Sequence, residues 1–216
     1  KVAADDGDDG DDDWANDQAL VDDPASMHDT DICTCTIDRV RMPLEEGKEL
    51  TIESGINQIT DTWRVQRFEV IRYMKGTQER GLILRSTDEI QQTLEDQMMN
   101  LSSMMSSRFV APFLELTQKW EKLMALVSEV IEIWMKVQAK WMYLEAIFVG
   151  SEDIRLQLPE EAKRFDRIHT EFRKIMGETA KNPNVLDACS ADGRLEKLAG
   201  LFSELEACQK SLSDYL

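Results

Sequence analysis

The amino-acid sequence predicts a mainly α protein: an elongated multi-helix bundle with one long helix of about 36 residues and one small β-hairpin. A seven-residue repeat of large apolar residues between 113 and 148 predicts the long helix. A short stretch rich in β-branched and aromatic residues between 67 and 84 predicts the hairpin. We divide the chain into an acidic segment over 1–43, expected to be disordered or extended, and a helical module over 44–216.

The long helix is predicted by an uninterrupted stripe of apolar side chains. Spacings of three and four alternate along it, which places every member on one face of a helix. The eleven stripe residues are Phe113, Leu116, Trp120, Leu123, Val127, Val130, Trp134, Val137, Trp141, Leu144 and Phe148. Pro112 suits a first helical turn and Gly150 suits a helix end. We therefore predict one helix over 112–149, about 55 Å long.

The stripe must be covered by other helices, because burying each large apolar side chain contributes roughly 1.5–3 kcal/mol. Three tryptophans at a positions favour an unequal bundle over a symmetric two-stranded coil. Helical spacing elsewhere predicts five or six helices in all. The first helix is expected over 45–63. The others are expected to start at a capping box from Ser86 to Glu89, at a cap at Ser151, at Leu158-Pro159 and after Asp192-Gly193.

The hairpin is predicted over 67–84. Arg67 to Tyr73 roughly alternates apolar and polar residues, and Leu82 to Leu84 is a second apolar run. Gly76 and Gly81 are expected to bracket the turn between them. A lone hairpin is marginal in water, so it must pack on the helices.

The acidic segment holds much of the net charge of −17, with twelve aspartates and one lysine in residues 1–31. Its composition predicts disorder, and it serves either as a solvating spacer or as a dock for a basic surface. It lacks the Gly and Glu positions of a calcium-binding loop, and an acidic chain is a poor nucleic-acid binder. Because the chain begins at Lys1 and its last helical pattern has no stop signal, we expect a piece of a longer protein. No leader and no apolar stretch long enough for a bilayer is present, so neither secretion nor a membrane partner is expected.

A search for chemistry finds no motif for phosphate binding, metal binding or nucleophilic catalysis. Cys33-Thr-Cys35 lacks metal-ligand spacing, and Cys208 is expected to be a small buried apolar group. His169 lies beside an apolar helix face and is expected to be half-buried and hydrogen-bonded. We predict no catalytic, cofactor-binding or metal-binding residue, and hence no enzyme activity or cofactor, for this part of the chain.

One block of residues resembles the linker region of dynein heavy chains. It contains Trp134, Gln138 and Trp141, then Leu144-Glu145-Ala146-Ile147-Phe148, then Asp153-Ile154, Leu158-Pro159-Glu160 and Phe165. Similar stretches flank it, including Gly47 to Leu50, Ser86 to Ile90, Asn182 to Leu186 and Gln209 to Leu216. The resemblance covers about 44–216 and is closer to axonemal than to cytoplasmic dyneins around Trp141-Met142-Tyr143. The acidic segment and Cys33-Thr-Cys35 do not match the family pattern.

The resemblance implies a mechanical role. In dyneins this region belongs to a lever that arches over a ring of AAA+ modules and moves as ATP is bound and hydrolysed elsewhere. It implies a parent motor ATPase using ATP and Mg outside these residues. The implied partners are the AAA+ ring of the same chain, other dynein heavy, intermediate and light chains, and, indirectly, microtubules. The implied location is the cytoskeleton, in the axoneme of a cilium or flagellum.

Two other interpretations remain open at this point. A spectrin-like or coiled-coil scaffold module without motor activity would also be rich in helices, although it gives no reason for the hairpin. An enzyme with a site inside a helical bundle would need ionisable residues facing inward, and the predicted seams are almost wholly apolar. Phosphate-loop motifs downstream in the parent sequence would distinguish a motor from a scaffold.

Overall fold

The computed structural model describes residues 49–215, which form seven α-helices and one two-stranded antiparallel sheet. The strands are β1 (Val70–Lys75) and β2 (Gln78–Leu84). The helices are α1 (Glu49–Val65), α2 (Asp88–Met105), α3 (Leu114–Phe148), α4 (Glu152–Gln157), α5 (Pro159–Lys181), α6 (Val185–Ser190) and α7 (Arg194–Tyr215). The mainly α fold with one hairpin, predicted from the sequence, is confirmed. The expectations for 1–43, and the predicted start of the first helix at 45, lie outside the described residues.

The long helix α3 is continuous over 35 residues. The predicted range of 112–149 is slightly too long, because Ala111–Phe113 form a separate 3₁₀ turn and Val149 is the C-cap. Ten of the eleven stripe residues are buried, and Leu116 is partly buried. A third row, at the e positions, is also buried; its members are Thr117, Met124, Ile131, Gln138 and Glu145. The buried face of α3 is therefore wider than a two-stranded seam.

The remaining helices cover this face and share one apolar core with α3. Helix α7 makes the most extensive contact with α3, followed by α2 and the short α6. Helix α5 packs on α7 and on both strands of the hairpin. Four tryptophans in the described residues, Trp63, Trp120, Trp134 and Trp141, are fully buried in this core. Unequal neighbours thus surround α3, as its large a-position side chains require.

Several helix ends are fixed by local hydrogen bonds. The Ser151 side chain accepts a bond from the Ile154 N–H, which confirms the predicted cap of α4. Asn184 caps α6 in the same way through the Asp187 N–H. Helix α6 is an addition to the five or six predicted, because it has only six residues and its pattern is too short for a period. The segment 182–184 interrupts the helical structure between α5 and α6, as predicted.

The predicted capping box at α2 is wrong. Thr87 is the N-cap and makes no side-chain cap bond. The Ser86 hydroxyl instead accepts from the Asp88 N–H at 3.3 Å and bonds the Asp88 carboxylate, so the helix begins one residue later than expected. The Ser86 hydroxyl is thus engaged by Asp88 and is not available for the capping-box bonds.

The hairpin is confirmed, but its turn differs from the prediction. Gly76 and Thr77 form the turn, and Gly76 has a positive φ of 62°. Gly81 lies inside β2 rather than at the turn, opposite Tyr73 and next to a bulge that leaves Arg80 as the extra residue. A Cβ at position 81 would lie 3.5 Å from the Trp141 ring, which is an ordinary contact distance. Gly81 therefore marks the place where β2 faces the indole ring of α3.

None of the described helices is both long enough and apolar enough to span a membrane.

Candidate functional site

The polar contacts that place the hairpin on the long helix are concentrated along the C-terminal half of α3. We call this junction the hairpin dock and define it by Arg80, Leu84, Gln138, Trp141 and Glu145. Gln138 is buried and faces the end of β2. Its side-chain oxygen accepts from the Leu84 N–H at 2.8 Å, and its side-chain nitrogen donates to the Leu84 carbonyl at 2.8 Å. One amide thus satisfies both outward-facing backbone groups of Leu84 in β2 and fixes the position of the hairpin on the helix.

Glu145 lies two turns further along the same row of α3 and is only 1% exposed. Its carboxylate lies 3.6 Å from an Arg80 guanidinium nitrogen, and Arg80 itself is largely covered. Neither carboxylate oxygen has a hydrogen-bond partner among the described residues, and the same holds for the Arg80 Nε. A buried carboxylate is costly without its counter-ion, so Arg80 and Glu145 hold each other at this interface.

Trp141 forms the apolar centre of the hairpin dock. Its indole ring lies 4.8 Å from the Phe172 ring of α5 and 5.6 Å from the Tyr73 ring of β1, measured between centroids. Its Nε1–H donates to the Nδ1 of His169 at 3.3 Å, and the two rings are stacked. Helix, hairpin and α5 therefore meet on one side chain. The prediction of a half-buried, hydrogen-bonded His169 is confirmed.

Burial changes the acid–base behaviour of two groups at the dock. The pKa of His169 is lowered, first by desolvation and then by the positive charge of Arg173. The pKa of Tyr73 is raised, first by desolvation and then by the nearby Glu145 carboxylate, with Arg80 acting in the opposite direction. Both shifts favour neutral side chains, as expected for an interface that excludes water.

A second junction lies one heptad before the dock, around Trp134. The Phe68 ring, just before β1, lies 5.7 Å from the Trp134 ring, and the Arg194 guanidinium lies over the indole at 5.4 Å. Arg194 is buried, donates to the Ala188 carbonyl at 3.1 Å, and lies 3.3 Å from the Glu178 carboxylate. This one side chain connects α3, α5, α6 and α7.

The arrangement shows no catalytic constellation in the part of the chain that the structure describes. Residues 49–215 contain no group of three or more His, Cys, Asp or Glu side chains placed to hold a metal ion. Burial raises the pKa of the Cys189 and Cys208 thiols, which disfavours the reactive thiolate form. Cys208 is fully buried, as predicted. Cys33 and Cys35 lie outside the described residues.

The roles of Arg80, Gln138 and Glu145 were missed by sequence reasoning. Polar residues on an otherwise apolar helix are usually assigned to solvent. A signal was present, because Gln138 and Glu145 continue the seven-residue row of Thr117, Met124 and Ile131. Nothing in that row identifies the hairpin backbone as the partner of Gln138.

The family model "Dynein heavy chain, N-terminal region 2" matches residues 46–216. The chain belongs to the dynein heavy chain family. Among its relatives, the "Dynein-1-alpha heavy chain, flagellar inner arm I1 complex" of Chlamydomonas reinhardtii is 61% identical over 169 residues, covering 78% of this chain and 4% of the relative. "Dynein axonemal heavy chain 10" of Homo sapiens is 57% identical over the same coverage. The "Dynein beta chain, flagellar outer arm" of Chlamydomonas reinhardtii is 38% identical over 189 residues, covering 86% and 4%.

The chain thus spans about 4% of the length of these dynein heavy chains. Its resemblance motif can now be placed in the structure. Trp134, Gln138, Trp141 and Glu145, which carried the resemblance, are the residues of α3 that hold the hairpin and the neighbouring helices. In this dynein segment the motif residues therefore have an architectural role.

Proposed function

We propose that this segment is part of the mechanical linker of an axonemal dynein heavy chain. In this role it transmits ATP-driven changes of an AAA+ ring into microtubule-based movement, in the beating of a cilium or flagellum. The chemistry takes place elsewhere in the parent chain, which uses ATP and Mg, and this segment is non-catalytic. Its partners are the ring of the same heavy chain, other dynein heavy, intermediate and light chains, and, through the parent, microtubules.

The observation that carries the proposal is the uninterrupted α3, supported on several sides along its length. A helix of 35 residues is about 52 Å long. Its three buried rows contact the core from Phe113 to Phe148. Bending α3 would expose large side chains of every row, so the helix resists bending as long as its neighbours remain packed. A linker needs this property along its axis.

Bending is expected at the ends of α3 rather than within it. Gly150 and Ser151 separate α3 from α4, and 182–184 separate α5 from α6. Hinges are a few residues at the ends of elements that absorb large changes in φ and ψ. We therefore place hinge positions at these two breaks, or in the parent chain outside this segment. Bending at 182–184 requires release of the Phe68–Pro183 backbone hydrogen bond.

The test is made in the parent heavy chain. The double substitution S128G/E129G introduces two glycines at exposed positions in the middle of α3. Each costs on the order of 1 kcal/mol of helix stability relative to alanine and adds local freedom. The matched control E95G/D96G places two glycines at exposed positions of α2. We expect microtubule gliding to slow several-fold for the α3 variant, with ring ATPase activity retained, and to stay near wild type for the control.

Equal gliding speeds for the two variants, with equal folding stability of the isolated segment, would reject the linker role. That outcome would favour the scaffold interpretation, in which load does not pass along α3. A second test concerns chemistry: calorimetric titration of the purified segment with ATP and Mg²⁺ is expected to give no saturable heat. Saturable binding would contradict the non-catalytic assignment.

A further inference from the structure

The outer edge of β1 presents backbone groups that point away from the hairpin. In an antiparallel pair, successive residues point their backbone N–H and C=O groups alternately to the partner strand and away from it. Leu84 points away from β1, because its N–H and C=O both bind Gln138. Leu84 is opposite Val70, and Leu82 is opposite Arg72. The backbone groups of Val70, Arg72 and, beyond the bulge, Met74 therefore point to the open side of β1.

The same edge is already used one step earlier. The Phe68 N–H donates to the Pro183 carbonyl at 2.8 Å, and the Val185 N–H donates to the Gln66 carbonyl at 3.1 Å. Arg67 forms an antiparallel bridge with Asn184. The strand-like pairing stops there, because Asn182 and the residues before it belong to α5 or its cap. From Val70 onward, the outward groups of β1 have no hydrogen-bond partner within 49–215.

The two edges of the hairpin are therefore unequal. The β2 edge is closed at Leu84 by a buried glutamine, although no backbone partner is found among the described residues for Leu82 on that edge. The β1 edge has no backbone partner, within the described residues, at three outward-facing positions. The Arg72 side chain beside it is 73% exposed, and Met74 is 49% exposed. Open strand edges are templates for pairing with another extended segment.

We propose that residues 32–37 of this chain add to β1 as a third strand. This segment reads Ile-Cys-Thr-Cys-Thr-Ile. It is rich in β-branched residues, contains no Gly or Pro, and carries no charge to oppose pairing. Asp29 and Asp31 precede it, Asp38 and Arg39 follow it, and Arg72 and Lys75 are exposed on β1. Opposite charges at the strand ends favour the pairing.

The connection is long enough to reach. Residues 38–48 extend to about 40 Å at most when fully stretched. Helix α1, which they must pass, is about 25 Å long, and β1 begins five residues after it ends. The proposed third strand contains Cys33-Thr-Cys35, which the family resemblance leaves unexplained. It also anchors the acidic segment beside the hairpin dock.

Hydrogen exchange at single-residue resolution tests the pairing in the 216-residue chain. The N–H groups of Val70, Arg72 and Met74 are expected to be protected at least about tenfold. The variant T34P removes a strand N–H and disfavours pairing, so it should abolish this protection. Protection at Ile71 and Tyr73, whose groups face β2, should be unchanged. The control A19P places proline elsewhere in the acidic segment and should leave all five amides as in wild type.

Two outcomes would overturn the proposal. One is free exchange at Val70, Arg72 and Met74 in the wild-type chain. The other is protection that survives T34P, which would assign the edge to a different occupant. If that protection rises with protein concentration, the occupant is a second copy of the chain.

Crosslinking provides an independent check. A short bismaleimide should join Cys33 or Cys35 to a cysteine introduced by R72C, within one chain. The matched control E95C, at an exposed position on α2, should not crosslink. Cys189 and Cys208 are buried and should not react in either variant. Equal crosslinking of R72C and E95C, or crosslinking of R72C only between chains, would reject an ordered third strand.

Discussion

At the scale of single residues, Gln138 fixes the position of the hairpin on α3. It is one buried amide on an apolar face, and both of its polar atoms bind the same residue of the hairpin. A hydrophobic side chain of similar volume would fill the space but leave the Leu84 N–H and C=O without partners. The specificity of the dock therefore depends on hydrogen bonding as well as on apolar burial.

The first prediction concerns this amide. Q138L is expected to destabilise the segment by about 2–4 kcal/mol, because two buried backbone groups lose their partners. Urea denaturation measures the change, and faster hydrogen exchange at Leu84 locates it. The same substitution at an exposed position of α3, Q118L, is the matched control and should change stability by less than about 0.5 kcal/mol. Similar losses for the two variants would contradict the role of Gln138.

A second residue-scale prediction concerns Trp134, which is fully buried between Phe68 and Arg194. W134A should cost roughly 3–5 kcal/mol, as a large-to-small change in a close-packed core. W134F keeps an aromatic ring against Phe68 and should cost less. Superimposable denaturant melts of wild type and W134A would mean that this part of the seam is not buried.

The third prediction concerns pH. His169 has a lowered pKa in the folded protein, so the unfolded chain takes up a proton at higher pH than the folded one. The contribution of neutral His169 to the free energy of unfolding is therefore fully present above the histidine pKa of the unfolded chain, about 6.5. It is lost as the pH falls below that value. Protonation at Nδ1 would also remove the acceptor for the Trp141 N–H. The groups facing His169 are Arg173, Asp166 and Arg80.

The measurement compares wild type with H169Q in urea melts between about pH 7.5 and pH 5, a range that brackets the ordinary histidine pKa. The stability advantage of wild type over H169Q should shrink as pH falls, because only wild type must then protonate or keep a neutral imidazole at a cost. Other titrating groups are common to both proteins and cancel in the difference. A difference that does not vary with pH would show that His169 does not titrate against folding.

At the scale of elements, the hairpin is held to α3 by one buried ion pair as well as by Gln138. The hairpin also carries an exposed pair, Arg72 with Glu79 at 3.5 Å, which serves as an internal comparison for Arg80 with Glu145 at 3.6 Å. Similar distances in different surroundings should give different energies, because water screens the exposed pair.

The fourth prediction uses this contrast. R80L should destabilise by about 3–5 kcal/mol, because it leaves the Glu145 carboxylate buried without a counter-ion. The double variant R80L/E145L should recover most of that loss. R72L, the exposed control, should cost less than about 1 kcal/mol. If R80L and R72L behave alike, the Arg80–Glu145 pair does not secure the hairpin.

The elements also indicate how far the sequence alone could predict this structure. The apolar period located α3 to within two residues at its start and one at its end. This succeeded because the apolar stripe must be buried whichever element covers it. The hairpin strands followed from β-branched residues. The burial of Gln138 and Glu145 did not follow, because a polar side chain is stable in the core only opposite a specific partner. That partner is the edge of β2, which is distant in sequence and invisible to periodicity.

At the scale of the whole molecule, one apolar core runs from the α1–α2 end to the hairpin dock. Trp120 and Met124 lie towards the start of α3, Trp141 and Phe148 lie towards its end, and all four are buried. Because α3 is common to both ends, neither half can lose its packing without exposing part of the same helix. A structure built in this way should unfold as one cooperative unit.

The last prediction follows from this shared helix. F148A, at the C-terminal end of α3, should destabilise by about 3–5 kcal/mol. It should also lower hydrogen-exchange protection at Leu101, in the C-terminal half of α2. Far-UV circular dichroism and tryptophan fluorescence should follow one coincident transition in both proteins. The neighbouring control is V149L, at an exposed position, which should leave both probes unchanged. Two separate transitions, or loss of protection confined to the α5 side in F148A, would mean that the ends are mechanically independent. Load applied at one end of α3 would then not be carried to the other, and the proposed linker role would fail at its physical basis.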